Sequence, residues 1–183
     1  VHRGWTTKFA WGAFHYSSTS AEQDYEFALL KNGSLRYTAQ CLSAAKWNQL
    51  EFRRFLGLPG TLSWDLDSNE SLACLLQPAD GQRQLKLGVQ QKTQELVFRG
   101  FITSGDGQPI SVEGSNALAG SSFGLNAASG YVFYCGQKEI AAVEIINDGR
   151  FWIKDGQPEE IEEAAAAGSA ALLLYRKIKD SGE

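Results

Sequence analysis

The residues of this chain that could do chemistry are few, and each group lacks part of its set. Gly120-Ser121-Ser122-Phe123-Gly124 matches the Gly-x-Ser-x-Gly turn that presents a nucleophilic serine in α/β-hydrolases. That turn needs a preceding strand, a following helix and a later histidine, whereas both histidines, His2 and His15, lie far upstream. Asp65, Asp67 and Asn69 have the first three spacings of a calcium loop, but Glu70 stands where the loop needs glycine and Leu76 where it needs a bidentate glutamate. The segment after Trp64 therefore reads as an acidic turn. Two His and three Cys without a short-spaced pair offer no zinc site, so no metal is expected. The Gly-rich stretch Gly114 to Gly130 lacks the Gly-Lys-Ser/Thr ending that cradles a nucleotide phosphate, and no cofactor is expected.

Binding is better represented than catalysis. Trp5, Phe9, Trp11, Phe14, His15 and Tyr16 make the N-terminal segment aromatic, and large amphipathic rings can line a ligand mouth as well as fill a core. Glu144 interrupts the apolar run Ile140 to Ile146; strand parity puts it on the side of Ile140 and Ala142, an inward carboxylate unless that face is exposed. The candidate ligand-binding residues are thus Trp5, Trp11, His15, Trp64 and Glu144, with the filling of a barrel as the plainer role for the aromatic ones.

The elements that would carry these side chains are mostly strands. Tyr25, Phe27 and Leu29 alternate with polar or small residues, Asn32-Gly33 supplies a tight hairpin turn, and Leu35, Tyr37, Ala39 and Cys41 alternate again. Similar punctuation at Asp80-Gly81, Asp106-Gly107, Asp148-Gly149 and Asp155-Gly156 separates further runs. Strands are expected over Thr7 to Tyr16, Tyr25 to Leu30, Leu35 to Leu42, Leu62 to Leu66, Leu72 to Leu76, Gln84 to Gln90, Leu96 to Thr103, Ile110 to Glu113, Tyr131 to Cys135, Ile140 to Ile146 and Arg150 to Lys154. A helix is expected from Ala44 to Leu56, capped by Ser43 and stopped by Gly57.

The last helix is the strongest architectural signal. Glu159, Glu160, Glu162 and Glu163 follow Pro158 at its positive end, Ala164 to Tyr175 carries no charge, and Arg176, Lys177 and Lys179 stand at its negative end. A helix with no polar side has to be surrounded. At 1.5 Å per residue its uncharged run covers only about 18 Å, well short of the ~30 Å of a bilayer core, so protein is expected to surround it. The expected fold is mainly β (α+β): one domain over residues 1–183, an antiparallel β-barrel or strongly curved sheet of about ten strands enclosing the C-terminal helix, with an open sheet or sandwich as the alternative.

Composition narrows the setting. With 183 residues, 43% hydrophobic and 21% charged, the chain suits one globular domain, and a net charge of -4 gives no broad footprint for nucleic acid. No apolar run is long enough for a transmembrane helix, and no signal-peptide pattern is present, so a cytoplasmic protein is expected; the missing initiator Met keeps a removed targeting segment open. Cys41, Cys74 and Cys135 are expected as buried thiols, Cys135 unpaired on the face of Tyr131 and Phe133, with a Cys41–Cys74 disulfide left open.

Gly130 to Val143, then Gly149-Arg150-Phe151-Trp152-Ile153, then the Ala164 to Tyr175 helix resemble the end of the tubby-like barrel family, which includes the LURP-one-related proteins and the phospholipid scramblases. The resemblance covers the last third of the chain and implies strands leading into an apolar helix in the middle of a barrel, and contact with membrane lipids. Arg53-Arg54 and Arg176-Lys177 with Lys179 have ordinary explanations as solvated helix charges, so no lipid-binding residue is carried over. The function expected is a non-enzymatic binding or interaction domain, lipid- or membrane-associated, whose partner is a protein or a small apolar or lipid ligand. A carboxylate-based enzyme using Glu144 or Asp65 and Asp67, and a lipocalin-like carrier with an open interior, are the alternatives.

Overall fold

The computed structural model describes residues 10–11, 22–45, 68–81, 84–92, 98–103, 108–117, 128–146 and 149–175. Ten strands follow one another in an antiparallel meander, each hydrogen-bonded to the next in chain order. They are β1 (Ala10–Trp11), β2 (Glu22–Lys31), β3 (Ser34–Ala45), β4 (Ser68–Pro78), β5 (Leu85–Lys92), β6 (Arg99–Thr103), β7 (Ile110–Ser115), β8 (Gly130–Cys135), β9 (Lys138–Glu144) and β10 (Arg150–Ile153), followed by α1 (Glu159–Leu174). The Asn32-Gly33 turn sits where expected. Asn32 and Gly33 have φ of 54° and 81°, the paired positive values of a two-residue turn, and they join Lys31 to Ser34.

The sheet curls round α1. Its helix is touched from strands far apart in the meander: Tyr25 of β2 donates a hydrogen bond to the Ala171 carbonyl at 2.6 Å, and Tyr175, just past the helix, donates a long one of 3.4 Å to Glu70 of β4. A Cβ placed on Gly168 would come within 2.5 Å of Ile102 in β6 and 3.3 Å of Phe133 in β8. Only glycine lets the helix approach that wall so closely. The strands also have room to bend: a Cβ on Gly100 of β6 would collide with the backbone of Gly88 in β5, so two glycines permit a close approach that side chains would block.

The interior is a continuous core in which Leu72, Leu76, Leu87, Ile140, Phe133 and Val112 are fully buried, with the helix as its centre. Ala164, Ala165, Ala167, Gly168, Ser169, Ala170, Ala171 and Leu172 are buried, whereas Ala166 is half-buried. The expectation of a helix enclosed on every side is therefore corrected on one side. Residues 166 and 168 stand about 200° apart around a helix, so the closed wall at Gly168 lies opposite an opening at Ala166. Among the described residues β1 and β10 end the sheet and are not paired with each other.

Other expectations shift. The helix expected from Ala44 gives way at its start, because Ala44 and Ala45 continue β3 opposite Ser71 and Glu70, and Ser43 is a buried strand residue, not a cap. Residues 46–57 and the strand expected over Leu62 to Leu66 lie outside the described residues. α1 ends at Leu174 with no basic residue in its last turn, and Arg176, Lys177 and Lys179 lie outside the described residues. Its terminal Ala171 carbonyl is instead satisfied by the Tyr175 amide at 2.9 Å and the Tyr25 hydroxyl.

Cys41 and Cys74 face each other directly across β3 and β4 with Cα atoms 4.1 Å apart, and they form a disulfide. They are buried, but not as free thiols. Closing a loop of this size stabilises a fold by roughly 3–4 kcal/mol on a chain-entropy view. Cys135 is unpaired but only half-buried, since it ends β8 next to the Gly136-Gln137 turn.

Two measurements check this arrangement. Melting followed by circular dichroism should show Ala165→Asp and Ala167→Asp losing several kcal/mol, because each strands an unpaired carboxylate in the core. Ala166→Asp should melt cooperatively near the parent; equal damage from all three substitutions would close the seam. In thiol labelling of the native protein one cysteine, Cys135, should react, with Cys41 and Cys74 becoming available only after reduction and unfolding.

Candidate functional site

The opening beside Ala166 is a groove of about 280 Å³ between β2 and β10, floored by α1. Leu29 and Leu30 form one wall, Phe151 and Ile153 the other, and Ala166, Ala170 and Leu173 the floor. Residues 162, 166, 169 and 173 recur at the spacing of one helical stripe, so a single face of α1 is presented along the whole groove. The volume falls just below the roughly 300–1,000 Å³ typical of ligand sites, and the apolar walls with a few polar groups have the usual composition of one.

Ser169 borders this groove but is only 1% exposed, and among the described residues its hydroxyl has no hydrogen-bond partner. Leaving a buried hydroxyl unpaired costs on the order of 1–3 kcal/mol, so the position calls for a partner. Gln157, on the approach to α1, carries the other unpartnered buried side-chain atom among the described residues, its Nε2.

One end of the groove is charged. Arg36 Nε donates to Glu163 Oε1 at 2.7 Å and its second nitrogen also contacts that oxygen, while Lys31 Nζ reaches Glu159 Oε1 at 3.1 Å and Glu163 Oε1 at 3.8 Å. Both cations come from the β2–β3 hairpin and both carboxylates from the first turns of α1. This network ties the hairpin to the helix start. The hydrogen bond from Lys31, reinforced by the charges of Lys31 and Arg36, holds the exposed Glu159 below the usual carboxylate range, and the hydrogen bond to Glu163 raises Arg36.

At the other end of α1 the buried polar groups are phenols. Tyr25, Tyr131 and Tyr175 lie near one another and near Glu70, which is 8% exposed; the Phe98 ring stacks edge-on against Tyr175 with centroids 5.5 Å apart. Burial pushes all three phenols up from their ordinary value, with the Glu70 charge adding to the rise at Tyr131 and Tyr175.

Of the residues singled out from the sequence, Glu144 is described with its side chain, and it does not line the groove. Glu144 is at the end of β9 opposite Gly130 and Arg150, on the side of Ala142 and Trp152, and Trp152 is 50% exposed. An irregularity in the β8–β9 register passes over Ile140, so Ile140, Ala141 and Val143 are all buried and the parity after it is inverted. Glu144 is thus placed on the outer face and not inward. The backbone of Trp11 is in β1, paired with Phe27. Trp5, His15 and Trp64, like Asp65, Asp67 and Ser122, lie outside the described residues. Sequence reasoning missed Arg36, Glu162 and Ser169, although Glu162 and Ser169 are spaced seven apart on one helix face, a signal that treating α1 as uniformly apolar conceals.

Comparison with protein-family models, with curated proteins and with solved structures gives no match. Among the described residues no group of His, Cys, Asp and Glu could hold a metal ion, and no helix is long and apolar enough to cross a membrane.

The phenol cluster has a pH signature. Because burial raises the folded-state values above those of the unfolded chain, the three phenols contribute fully to stability below pH ~10 and lose that contribution as pH rises above it. Spectrophotometric titration should show part of the tyrosine population resisting ionisation until the chain unfolds in alkali. Free titration of every tyrosine near pH 10 with the fold intact would contradict the buried cluster.

Proposed function

We propose that this chain is a non-enzymatic binding domain that takes a small apolar or amphipathic ligand in the groove between β2, β10 and α1. The observation that carries this reading is the open groove itself, about 280 Å³ walled by Leu29, Leu30, Phe151 and Ile153, floored by Ala166, Ala170 and Leu173, and charged at one end. The site is the seam and not the lumen, since α1 fills the interior where a lipocalin-like carrier would hold its cargo.

The tubby-like resemblance enters this proposal through architecture: a β-meander curled round a final apolar helix supports it, and lipid is the ligand class it suggests. A carboxylate-based enzyme has less support. Glu144 is on the outer face, and Glu159 and Glu163 are held in ion pairs by Lys31 and Arg36. The Cys41–Cys74 bridge favours an oxidising compartment over the cytoplasm expected from the sequence.

Decanol is a suitable probe. Isothermal titration and native mass spectrometry should detect its binding to the parent protein, and Ala166→Trp, which fills the groove from a half-buried position, should weaken it at least about tenfold with melting little changed. Unaltered binding by a folded Ala166→Trp protein, or no binding of decanol at all, would remove the groove from consideration as the site.

A further inference from the structure

Four apolar side chains along the seam, Phe151, Ile153, Ala166 and Leu173, pack against the core yet stay half-buried. The backbone beside them is open as well. The Lys154 amide donates to the Ile140 carbonyl at 2.9 Å, and the β9–β10 register, continued by one residue, sets these two opposite each other. In an antiparallel pair such bonds recur at every second residue, so Arg150 and Trp152 turn their N–H and C=O groups to β9, while Phe151 and Ile153 turn theirs to the seam. Among the described residues no strand takes them up. An apolar trough with an unpaired strand edge along it suits an extended chain, which supplies side chains and hydrogen bonds together.

The sheet itself points to which chain. β1 pairs with β2 antiparallel, Trp11 opposite Phe27 and Ala10 opposite Ala28. Continued towards the N-terminus, that register sets Phe9 opposite Leu29, Lys8 opposite Leu30 and Thr7 opposite Lys31, and Leu29, Leu30 and Lys31 are the β2 side of the groove. β2 is regular there, because the irregularity at Leu29 and Leu30 comes from an extra residue, Arg36, in β3. Strand direction fits too: ten strands alternating in direction leave the first and last antiparallel, so a longer β1 meets β10 as it meets β2. Residues directly opposite share a face, and Leu29 is buried, so this register puts Phe9 on the inner face and Lys8 on the outer one.

We propose that residues 7–9 continue β1 into the seam, hydrogen-bond to β2 on one side and to Phe151 and Ile153 on the other, and lay the Phe9 ring on the α1 floor. The barrel is thereby closed by its own N-terminal strand, and a ligand enters the groove by displacing Phe9. That displacement rests on the binding reading above; the strand pairing does not.

Amide exchange of the full chain, followed by NMR, tests the pairing. The amides of Phe151 and Ile153 should exchange at least about a hundredfold more slowly than open-chain amides. Lys8→Pro removes a donor from a strand paired on both sides and should speed them at least about tenfold, with the amides of β4 and β7 still slow, whereas Lys8→Ala should leave them slow. Open-chain exchange of Phe151 and Ile153 in the parent would overturn the proposal. So would protection that Lys8→Pro leaves unchanged, which would assign the edge to another partner. Should Lys8→Pro speed β4 and β7 equally, Phe9→Ala, which keeps every backbone donor, decides: faster exchange confined to Phe151 and Ile153 supports the proposal, and a uniform change or none overturns it.

Decanol titration tests the displacement. Phe9→Ala should bind decanol about tenfold tighter than the parent, because a docked ring leaves only a fraction of parent molecules competent to bind. Equal affinity of the two proteins would overturn the displacement, with the pairing still decided by exchange. Absence of decanol binding in both would overturn the binding reading and the displacement with it.

Discussion

Enclosure of α1 is the constraint on which the other features depend. A helix whose residues from Ala164 to Leu174 carry no charge gains stability only when its surface leaves water, at about 25 cal/mol for each Å² of apolar area. A flat sheet covers one side of such a helix. A meander that twists and curls can cover most of its circumference, and the small residues of α1 keep the enclosing radius short. Ala164, Ala165, Ala167, Gly168, Ala170 and Ala171 let strands approach where leucines would hold them off, most plainly at Gly168 against Ile102 and Phe133.

The seam is the other side of that arrangement. The helix packs tightly against β6 and β8 through Gly168, and among the described residues the groove between β2 and β10 lies on the opposite side. There α1 presents half-buried residues, Glu162, Ala166 and Leu173, beside a cavity. The two ends of the helix are held by different physics: ion pairs of Lys31 and Arg36 with Glu159 and Glu163 at the start, and buried tyrosine hydroxyls at the end. Exposed ion pairs such as Lys31–Glu159 contribute little to net stability and are better regarded as setting the orientation of the helix start. The Tyr25 hydroxyl adds a second hydrogen bond to the Ala171 carbonyl, which already accepts the Tyr175 amide, and so finds a partner for itself inside the core.

Register irregularities account for much of what the strand pattern could not reveal. The β8–β9 irregularity near Ile140 turns Glu144 outward, and another between Leu29 and Leu30 of β2 leaves both residues in the groove wall. Each breaks a period-two reading that was sound on either side of it. The β3–β4 register has a comparable consequence for the cysteines. Cys41 and Cys74 are 33 residues apart in sequence, and only the pairing of their strands brings them together.

By itself the sequence determined the strand-rich class, the Asn32-Gly33 hairpin, the strands from Tyr25 to Leu42 and from Tyr131 to Cys135, and the need to surround the final helix. These are local or periodic properties: a turn needs positive φ at two adjacent residues, an alternating run has one buried face, and an uncharged helix has no face to give to water. Tertiary structure alone decided which strands meet, and therefore the disulfide, the ion pairs of the β2–β3 hairpin with α1, and the Tyr25, Tyr131, Tyr175 and Glu70 cluster. It also decided which helix face lies at the seam, because that depends on where the curl of the sheet stops. Strand order, bulge position and the closest approach at Gly168 set that stopping point, and all are products of packing between residues distant in the chain.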